Sequence, residues 1–261
     1  MKKVTKAVIP AAGLGTRVLP ATKAQPKEML VIVDKPSLQY IVEELVESGI
    51  TDIVIVTGRN KNSIEDHFDY SYELENTLKK DGKDELLEKI ENLSTMANIF
   101  YVRQNLPKGL GHAILKAKPF IGDDPFVIAL GDDIVYNPEK PVAKQLIDVY
   151  EKYESSIVGC QEVDEKDISK YGIVKPIEKL DKSTCVIEDF IEKPSLEEAP
   201  SNFACLGRYL LTGKILKRLN QEKVEKYSLL MPYWICSKME KEFFLTTLKE
   251  KDMILVIRLD F

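Results

Sequence analysis

The stretch KAVIPAAGLGTR, residues 6–17, joins a short apolar run to a loop that contains two glycines and an arginine. The apolar run is typical of a strand buried in a parallel sheet. Glycines allow backbone N–H groups to approach a ligand, and a nearby cation favours a ligand with negative charge. The stretch therefore predicts an anion-binding loop at the carboxyl end of a buried strand, with a flexible basic surface loop as the alternative.

Further segments extend this strand into an alternating pattern. Ser37–Ser48 has apolar side chains at helical spacing, and Asp52–Thr57 is another nearly all-apolar run. The pattern continues with Ile99–Arg103, a helix that begins near His112, and the strand Phe126–Leu130. Such alternation predicts an α/β fold with a doubly wound, mostly parallel sheet.

After Ile157 the pattern changes to short strands and turns. They occupy Tyr171–Pro176, Thr184–Glu192 and Phe203–Leu211. We expect a smaller β-rich part here that closes over the ligand. The charged residues 70–96, which carry a leucine and isoleucine stripe, predict a solvated helical insertion.

The composition excludes several classes of protein. The chain has 261 residues and a net charge of −5, which disfavours a general nucleic-acid surface. Its four cysteines are scattered, so we expect neither a zinc site nor a disulfide framework. No signal-peptide-like start and no run of about 18 apolar residues is present, so we expect no membrane partner and a cytoplasmic location.

The glycine loop completes neither of two common nucleotide-binding motifs. Val18 stands where a dinucleotide fingerprint would have its third glycine, and no Gly-Lys-Ser/Thr follows as in a P-loop. The loop instead carries the pattern GxGTR, and Lys27 follows it in the sequence. Arg17 and Lys27 can contact a polyphosphate from two sides, whereas exposed cations that flank a helix are the alternative.

Seven motifs follow one another along the chain: AAGLGTR, PKEML, RQ with PKGLGHA, LGDD, YGIV, IEKP and LGRY. Together they resemble the sugar-1-phosphate nucleotidyltransferases over roughly residues 3–219, in the version typical of members that use UTP. The resemblance implies a Rossmann-like fold and direct attack of glucose 1-phosphate on the α-phosphorus of UTP, which gives UDP-glucose and pyrophosphate and requires Mg²⁺. Such a transfer needs positioning and charge neutralisation rather than a protein nucleophile. Another nucleotide, such as dTTP or CTP, or another sugar phosphate is the alternative.

The resemblance implies roles for the residues near the phosphates. Ala12, Gly13 and Gly15 approach the nucleotide. Arg17 meets the departing pyrophosphate, and Lys27 contacts the nucleotide phosphates. Arg17 and Lys27 thus belong to the predicted catalytic set.

A second group is implied to surround the base. Glu28 faces the nucleotide pocket in similar enzymes, although a plain salt bridge is nearly as good an interpretation. Gln104 has amide donors and a carbonyl acceptor that can read the edge of uracil. Gly109 and Gly111 let the chain pass close to the base, and His112 is interpreted as a residue at a helix start.

A third group is implied to hold the metal and the sugar. Asp132 is the predicted Mg²⁺ ligand, since Mg²⁺ prefers hard oxygen ligands. Asp133 is either an N-cap or a supporting acceptor. Gly172 lies in the sugar-side turn, Glu192 resembles the carboxylate that holds glucose hydroxyls, and Lys193 resembles the cation that holds the glucose phosphate. Asp132 and Lys193 complete the predicted catalytic set.

The resemblance stops before the end of the chain. We predict a nucleotidyltransferase domain over 1–222, with a nucleotide half of about 1–150 and a sugar-binding half of about 151–222, and an atypical tail over 223–261. Family motifs similar to GGEIQLTDAI and KRYDxGDK are absent from this tail, yet a one-nucleotide shift of plausible codons restores both. Our hypothesis is a frameshift from roughly Val224 onward. A nucleotide-binding remnant without turnover is therefore an alternative function, and the family allows a homo-oligomer.

Overall fold

The computed structural model describes residues 1–137, 139–219, 243–247 and 257–258. Its strands are β1 Lys6–Ala11, β2 Val31–Ile32, β3 Lys35–Pro36, β4 Asp52–Thr57, β5 Asn98–Arg103, β6 Phe126–Ala129, β7 Asp133–Ile134, β8 Ser156–Glu162, β9 Gly172–Lys179, β10 Thr184–Glu192, β11 Phe203–Leu211, β12 Phe243–Thr247 and β13 Ile257–Arg258. Its α-helices are α1 Ser37–Glu47, α2 Asn62–Phe68, α3 Tyr72–Lys80, α4 Asp84–Thr95, α5 Leu110–Lys116, α6 Lys118–Ile121, α7 Val142–Tyr153 and α8 Lys214–Leu219. Short 3₁₀ turns cover Thr16–Val18, Ala21–Lys23, Lys27–Met29 and Glu165–Lys170.

One mixed sheet of nine strands forms the centre, in the order β5-β4-β1-β6-β11-β8-β12-β10-β9. The strands β5, β4, β1 and β6 run parallel to one another. Beyond β6 the pairings are antiparallel, except that β12 runs parallel to β8. The predicted α/β fold class is confirmed, with its parallel part in the first half of the chain.

Helices cover both faces of the parallel part, as the double winding requires. Alternate side chains of β1 enter two cores, because successive residues of a strand point to opposite faces. Val8 packs in the core that includes Ile114 of α5, whereas Ile9 packs in the core that includes Leu38 of α1. This two-sided burial explains why β1 has almost no polar residues.

The charged insertion over 70–96 is helical, as predicted, but it consists of the two helices α3 and α4. Gly82 separates them with φ of 66°, a left-handed conformation that glycine adopts without a steric penalty. Leu78 and Leu93 are the buried hydrophobic residues on these helices. Most of the remaining surface faces solvent.

Only part of the predicted tail lies within the described residues. Phe243–Thr247 forms β12 between β8 and β10, and Ile257–Arg258 pairs with β7. The frameshift hypothesis concerns residues that are largely outside the described ranges, so it stays a hypothesis, as do the domain boundaries. Among the described helices, none has the length and apolar character to cross a lipid bilayer.

Candidate active site

Predicted site residues follow the carboxyl ends of three of the four adjacent parallel strands. Gln104 follows β5, Ala12 follows β1, and Leu130 leads from β6 to Asp132, whereas Gly58, which follows β4, was not predicted. Ligands of open α/β sheets bind at this edge. Three interstrand spacings separate β5 from β6, about 14 Å in total. This row is therefore long enough to take a base at one end and phosphates at the other.

The glycine loop folds back on itself over Lys27. Gly15 has φ of 65°, and a Cβ atom added there would lie 3.2 Å from Thr22 Cγ2. The Thr22 hydroxyl donates a 2.7 Å hydrogen bond to the Gly15 carbonyl and holds the turn closed. A Cβ atom on Gly13 would lie 3.7 Å from Lys27 Cε, so the lysine stem runs beside the loop. The two glycines thus have separate roles. Gly15 is required by the turn, and Gly13 leaves the backbone of the loop uncovered by a side chain.

Lys27 and Asp132 meet at the edge of the sheet. Their Nζ and Oδ2 atoms are 2.5 Å apart, and the side chains are 19% and 44% exposed. The residues predicted to contact phosphates and metal are therefore brought together, although 105 positions separate them in the sequence. A polyphosphate at this edge would compete for the ammonium group.

Glu28 belongs to a buried ion pair whose partner, Lys61, the sequence did not predict. Lys61 Nζ lies 2.6 Å from Glu28 Oε2, and the two side chains are 7% and 0% exposed. Burial raises the pKa of Glu28, while Lys61 opposes this effect by stabilising the charged form. The position of a lysine just beyond the carboxyl end of β4 was the available signal for Lys61. The geometry agrees with the salt-bridge interpretation of Glu28, and its contact with a nucleotide stays a prediction.

Gln104 is buried and held by two neighbours. Its Nε2 donates to the Gly109 carbonyl at 3.1 Å and lies 2.9 Å from His112 Nδ1. Gly109 has φ of 87°, which explains the glycine there. His112 lies in the first turn of α5, as predicted. It also contacts Gln104, which the interpretation as a helix-start residue did not include.

A cavity of about 140 Å³ lies beside the end of β6. It is lined by Leu110, Leu130, Asp133, Lys170, Tyr171, Gly172, Phe190, Glu192, Cys205, Gly207 and Tyr209. The predicted sugar residues Gly172 and Glu192 are thus in one cavity. Asp133 begins β7 rather than a helix, which excludes the N-cap interpretation.

Two glycines leave room for side chains of this cavity. A Cβ atom on Gly172 would lie 1.8 Å from Phe190 Cζ. A Cβ atom on Gly207 would lie 2.2 Å from Asp133 Oδ2, and Gly207 also has φ of 68°. Any larger residue would displace the aromatic ring or the carboxylate.

Two members of the predicted catalytic set are exposed and away from the cavity lining. Lys193 directly follows β10 with φ of 49°, and its backbone N–H donates to the Tyr171 carbonyl. Arg17 lies in the 3₁₀ turn that follows the glycine loop. Their roles stay predictions.

A second buried ion pair lies behind the cavity. Arg208, next to Gly207, donates from Nη2 to Glu44 Oε2 at 2.8 Å. Glu44 Oε1 also accepts the Ala143 backbone N–H at 3.0 Å. The LGRY motif contained Arg208, but its partner in α1 could be found only from the fold.

Known proteins resemble this chain over most of its length. A family model described as Nucleotidyl transferase matches residues 6–243. A UTP–glucose-1-phosphate uridylyltransferase of Bacillus subtilis (strain 168) is 57% identical over 224 residues, which are 86% of this chain and 76% of that protein. A solved UDP-glucose pyrophosphorylase complexed with UDP-glucose has a TM-score of 0.83 and 42% identity, and the match covers 94% of this chain and 91% of that chain.

A UTP-bound UGPase from Acinetobacter baumannii has a TM-score of 0.87 at 34% identity, and the match covers 94% of this chain and 86% of that chain. The two structures agree over both the parallel and the β-rich parts, because the match covers most of each chain. Together with the sequence matches, this agreement shows that the likeness extends beyond the central sheet. The chain belongs to the nucleotidyl transferase family, among the bacterial UTP–glucose-1-phosphate uridylyltransferases.

Proposed function

We propose that this chain transfers a uridylyl group from UTP to glucose 1-phosphate, which gives UDP-glucose and pyrophosphate. The observation that carries the proposal is the Lys27–Asp132 pair, since Lys27 runs beside the glycine loop and Asp132 directly precedes Asp133 of the cavity that contains Glu192. The Bacillus relative is named for this reaction, and one solved relative was complexed with UDP-glucose.

The proposed chemistry needs charge neutralisation at the phosphates. Lys27 and Arg17 supply cations from two sides of the glycine loop, and this compensates the negative charge of the triphosphate and of the departing pyrophosphate. Ala12, Gly13 and Gly15 let the backbone approach the nucleotide. The sugar phosphate oxygen is the nucleophile, so no protein side chain forms a covalent intermediate.

The residues at the sheet edge fit a bound Mg²⁺. The ion is usually held by one or two carboxylates, with waters and substrate phosphates in its other positions. Asp132 offers one partly exposed carboxylate, and no group of three or more potential ligand residues occurs among the described residues. We propose Asp132 as the residue that holds Mg²⁺, which when bound would supply further neutralisation of the phosphates.

The sugar would occupy the cavity between the two parts of the sheet. Glu192 would accept hydrogen bonds from glucose hydroxyls, and Gly172 leaves room for the Phe190 ring in the cavity wall. Lys193 follows Glu192 directly and would pair with the glucose phosphate.

The first prediction concerns Asp132. We expect pyrophosphate release with UTP, glucose 1-phosphate and Mg²⁺, and a loss of at least about 100-fold in Asp132→Ala, because transition-state charge stabilisation of this kind is worth several kcal/mol. Phosphate-coupled absorbance measures the release. The exposed Lys166→Ala serves as a control. An Asp132→Ala enzyme with full activity would contradict the assignment.

A nucleotide-binding remnant is the second candidate, because the tail departs from the family pattern. The match to the Bacillus relative covers 86% of this chain, and the family-model match ends at residue 243, within the predicted tail. UTP binding in calorimetry without pyrophosphate release would favour the remnant. The coding DNA near codons 220 to 225 decides the frameshift hypothesis, since an alternative frame that cannot encode the family motifs would end it.

A further inference from the structure

The side-chain amide of Gln104 is fixed in one orientation. Its Nε2 lies 3.1 Å from the Gly109 carbonyl oxygen and 2.9 Å from His112 Nδ1. A carbonyl can only accept, so the NH₂ group must face Gly109. The opposite orientation would place two oxygens against each other. The amide nitrogen and oxygen are therefore assigned by chemistry.

His112 accepts the second amide proton. With Nε2 fixed as the donor, Nδ1 must be unprotonated, which places the imidazole proton on the other nitrogen. Burial and the neighbouring charges of Lys116 and Lys108 lower the pKa of His112, which favours this neutral form. Both protons of the Gln104 amide are thus used within the protein.

The remaining polar atom of the Gln104 side chain is its Oε1. None of the described residues donates a hydrogen bond to this oxygen. Gln104 follows β5 at the end of the ligand edge that is farthest from Asp132. A nucleotide whose phosphates are at Lys27 and Asp132 would therefore extend its base toward Gln104.

We propose that His112 is a specificity-determining positioning residue, which holds the Gln104 amide with its oxygen toward the base and so selects pyrimidines that carry a proton on N3. Uracil and thymine have this N3–H donor. Cytosine has an unprotonated N3, which would oppose Gln104 Oε1 with a second acceptor. The inference rests on the proposed nucleotide site and deepens it, since it names the base class that the site takes.

The two histidines of the chain offer a matched comparison. His112→Leu removes the acceptor, whereas His112→Asn keeps an acceptor close to the position of Nδ1. His67 also pairs with a glutamine, since its Nε2 lies 3.1 Å from Gln39 Oε1 on the packed helices α2 and α1. His67→Leu therefore removes a histidine–glutamine contact outside the ligand edge.

The experiment measures dissociation constants of UTP and CTP by calorimetry, with Mg²⁺ and without glucose 1-phosphate. We expect the wild type to prefer UTP, and His112→Leu to reduce the ratio of the two constants about three- to tenfold, the equivalent of one hydrogen bond. His112→Asn should retain most of the preference, and His67→Leu should leave it unchanged. A general loss of folding would weaken the binding of both nucleotides alike and would leave the ratio of their dissociation constants unaltered.

Binding and turnover separate this inference from the proposed function. Selective UTP binding without pyrophosphate release contradicts the reaction but supports the role of His112. Turnover with an unchanged UTP-to-CTP ratio in His112→Leu overturns the inference and keeps the reaction. Equal binding of UTP and CTP by the wild type also overturns it, and binding of neither nucleotide contradicts both.

Discussion

At the scale of single residues, the site depends on glycines at positions where a side chain would not fit. Gly172 adopts no unusual backbone angle, yet it is required because Phe190 occupies the space that a Cβ atom would need. Gly15 differs, since its positive φ and its contact with Thr22 both favour glycine. Glycine is thus favoured at these two positions for two different physical reasons.

Gly172→Ala should therefore disturb the cavity. An added Cβ atom would lie 1.8 Å from Phe190 Cζ, so the ring must move. We expect a loss of about 1–3 kcal/mol in the free energy of unfolding, as for other overpacked sites, and a raised KM for glucose 1-phosphate. Chemical denaturation and steady-state kinetics measure the two effects.

The double variant Gly172→Ala/Phe190→Leu provides the control, because the smaller side chain relieves the overlap. It should recover part of the lost stability. If Gly172→Ala alone matches the wild type in both measurements, the close packing of these two residues is not what the structure indicates.

At the scale of elements, the spacing of apolar residues was sufficient to predict the bounds of several buried strands. The bounds of β4, β10 and β11 agree with the predicted segments because each segment is rich in β-branched and other apolar residues and lies between polar turns. The insertion was predicted as one helical segment, and the structure divides it at Gly82. Pairing order was not accessible, since the placement of β11 beside β6 depends on contacts between distant segments.

The amino end of β1 is attached to the loop after α6. Lys2 and Lys6 both contact the carboxylate of Asp124, at 2.8 Å and 2.9 Å. Hydrogen bonds from Lys2 and then Lys6 lower the pKa of Asp124 below its ordinary value. The folded state therefore binds fewer protons at this group than the unfolded state.

Asp124→Asn should remove a pH-dependent contribution to stability. The contribution is present above the ordinary aspartate pKa of about 3.9 and is lost as pH falls through the lower folded value. We expect a difference from wild type below about 1 kcal/mol at pH 7, because the pairs are partly exposed, and its decline below about pH 4. Urea denaturation across this pH range measures it.

Glu88→Gln, which removes an exposed carboxylate on α4, is the matched control. It should show no comparable pH-dependent loss. A constant difference between Asp124→Asn and wild type at all pH values would contradict the linkage to Asp124.

At the scale of the whole molecule, a buried ion pair joins elements from both parts. Arg208 of β11 contacts Glu44 of α1, and Glu44 also accepts the Ala143 N–H of α7. Arg208 is fully buried and its Nη1 has no hydrogen-bond partner among the described residues. The pair therefore connects the nucleotide half to the strand that borders the cavity.

Arg208→Met should lower the free energy of unfolding by about 3–5 kcal/mol, because Glu44 would then be a buried carboxylate without its cation. Guanidinium denaturation measures the loss. In the double variant Arg208→Met/Glu44→Leu both charges are replaced by apolar groups, so part of the stability should return. Equal stability of the single and double variants would contradict this account of the charge.

The sequence by itself determined the fold class and the family, and it predicted which residue types the site would use. Apolar periodicity predicted the buried strands, and the ordered motifs carried the family resemblance, because both depend on residues that are near one another in the chain. The tertiary structure alone decided which distant residues meet: Lys27 with Asp132, Lys61 with Glu28, and Arg208 with Glu44. These partners are separated by many residues, and sheet order rather than local spacing brings their charges together. The orientation of Gln104 also became evident only there, since a hydrogen-bond partner fixes an amide through its position in space.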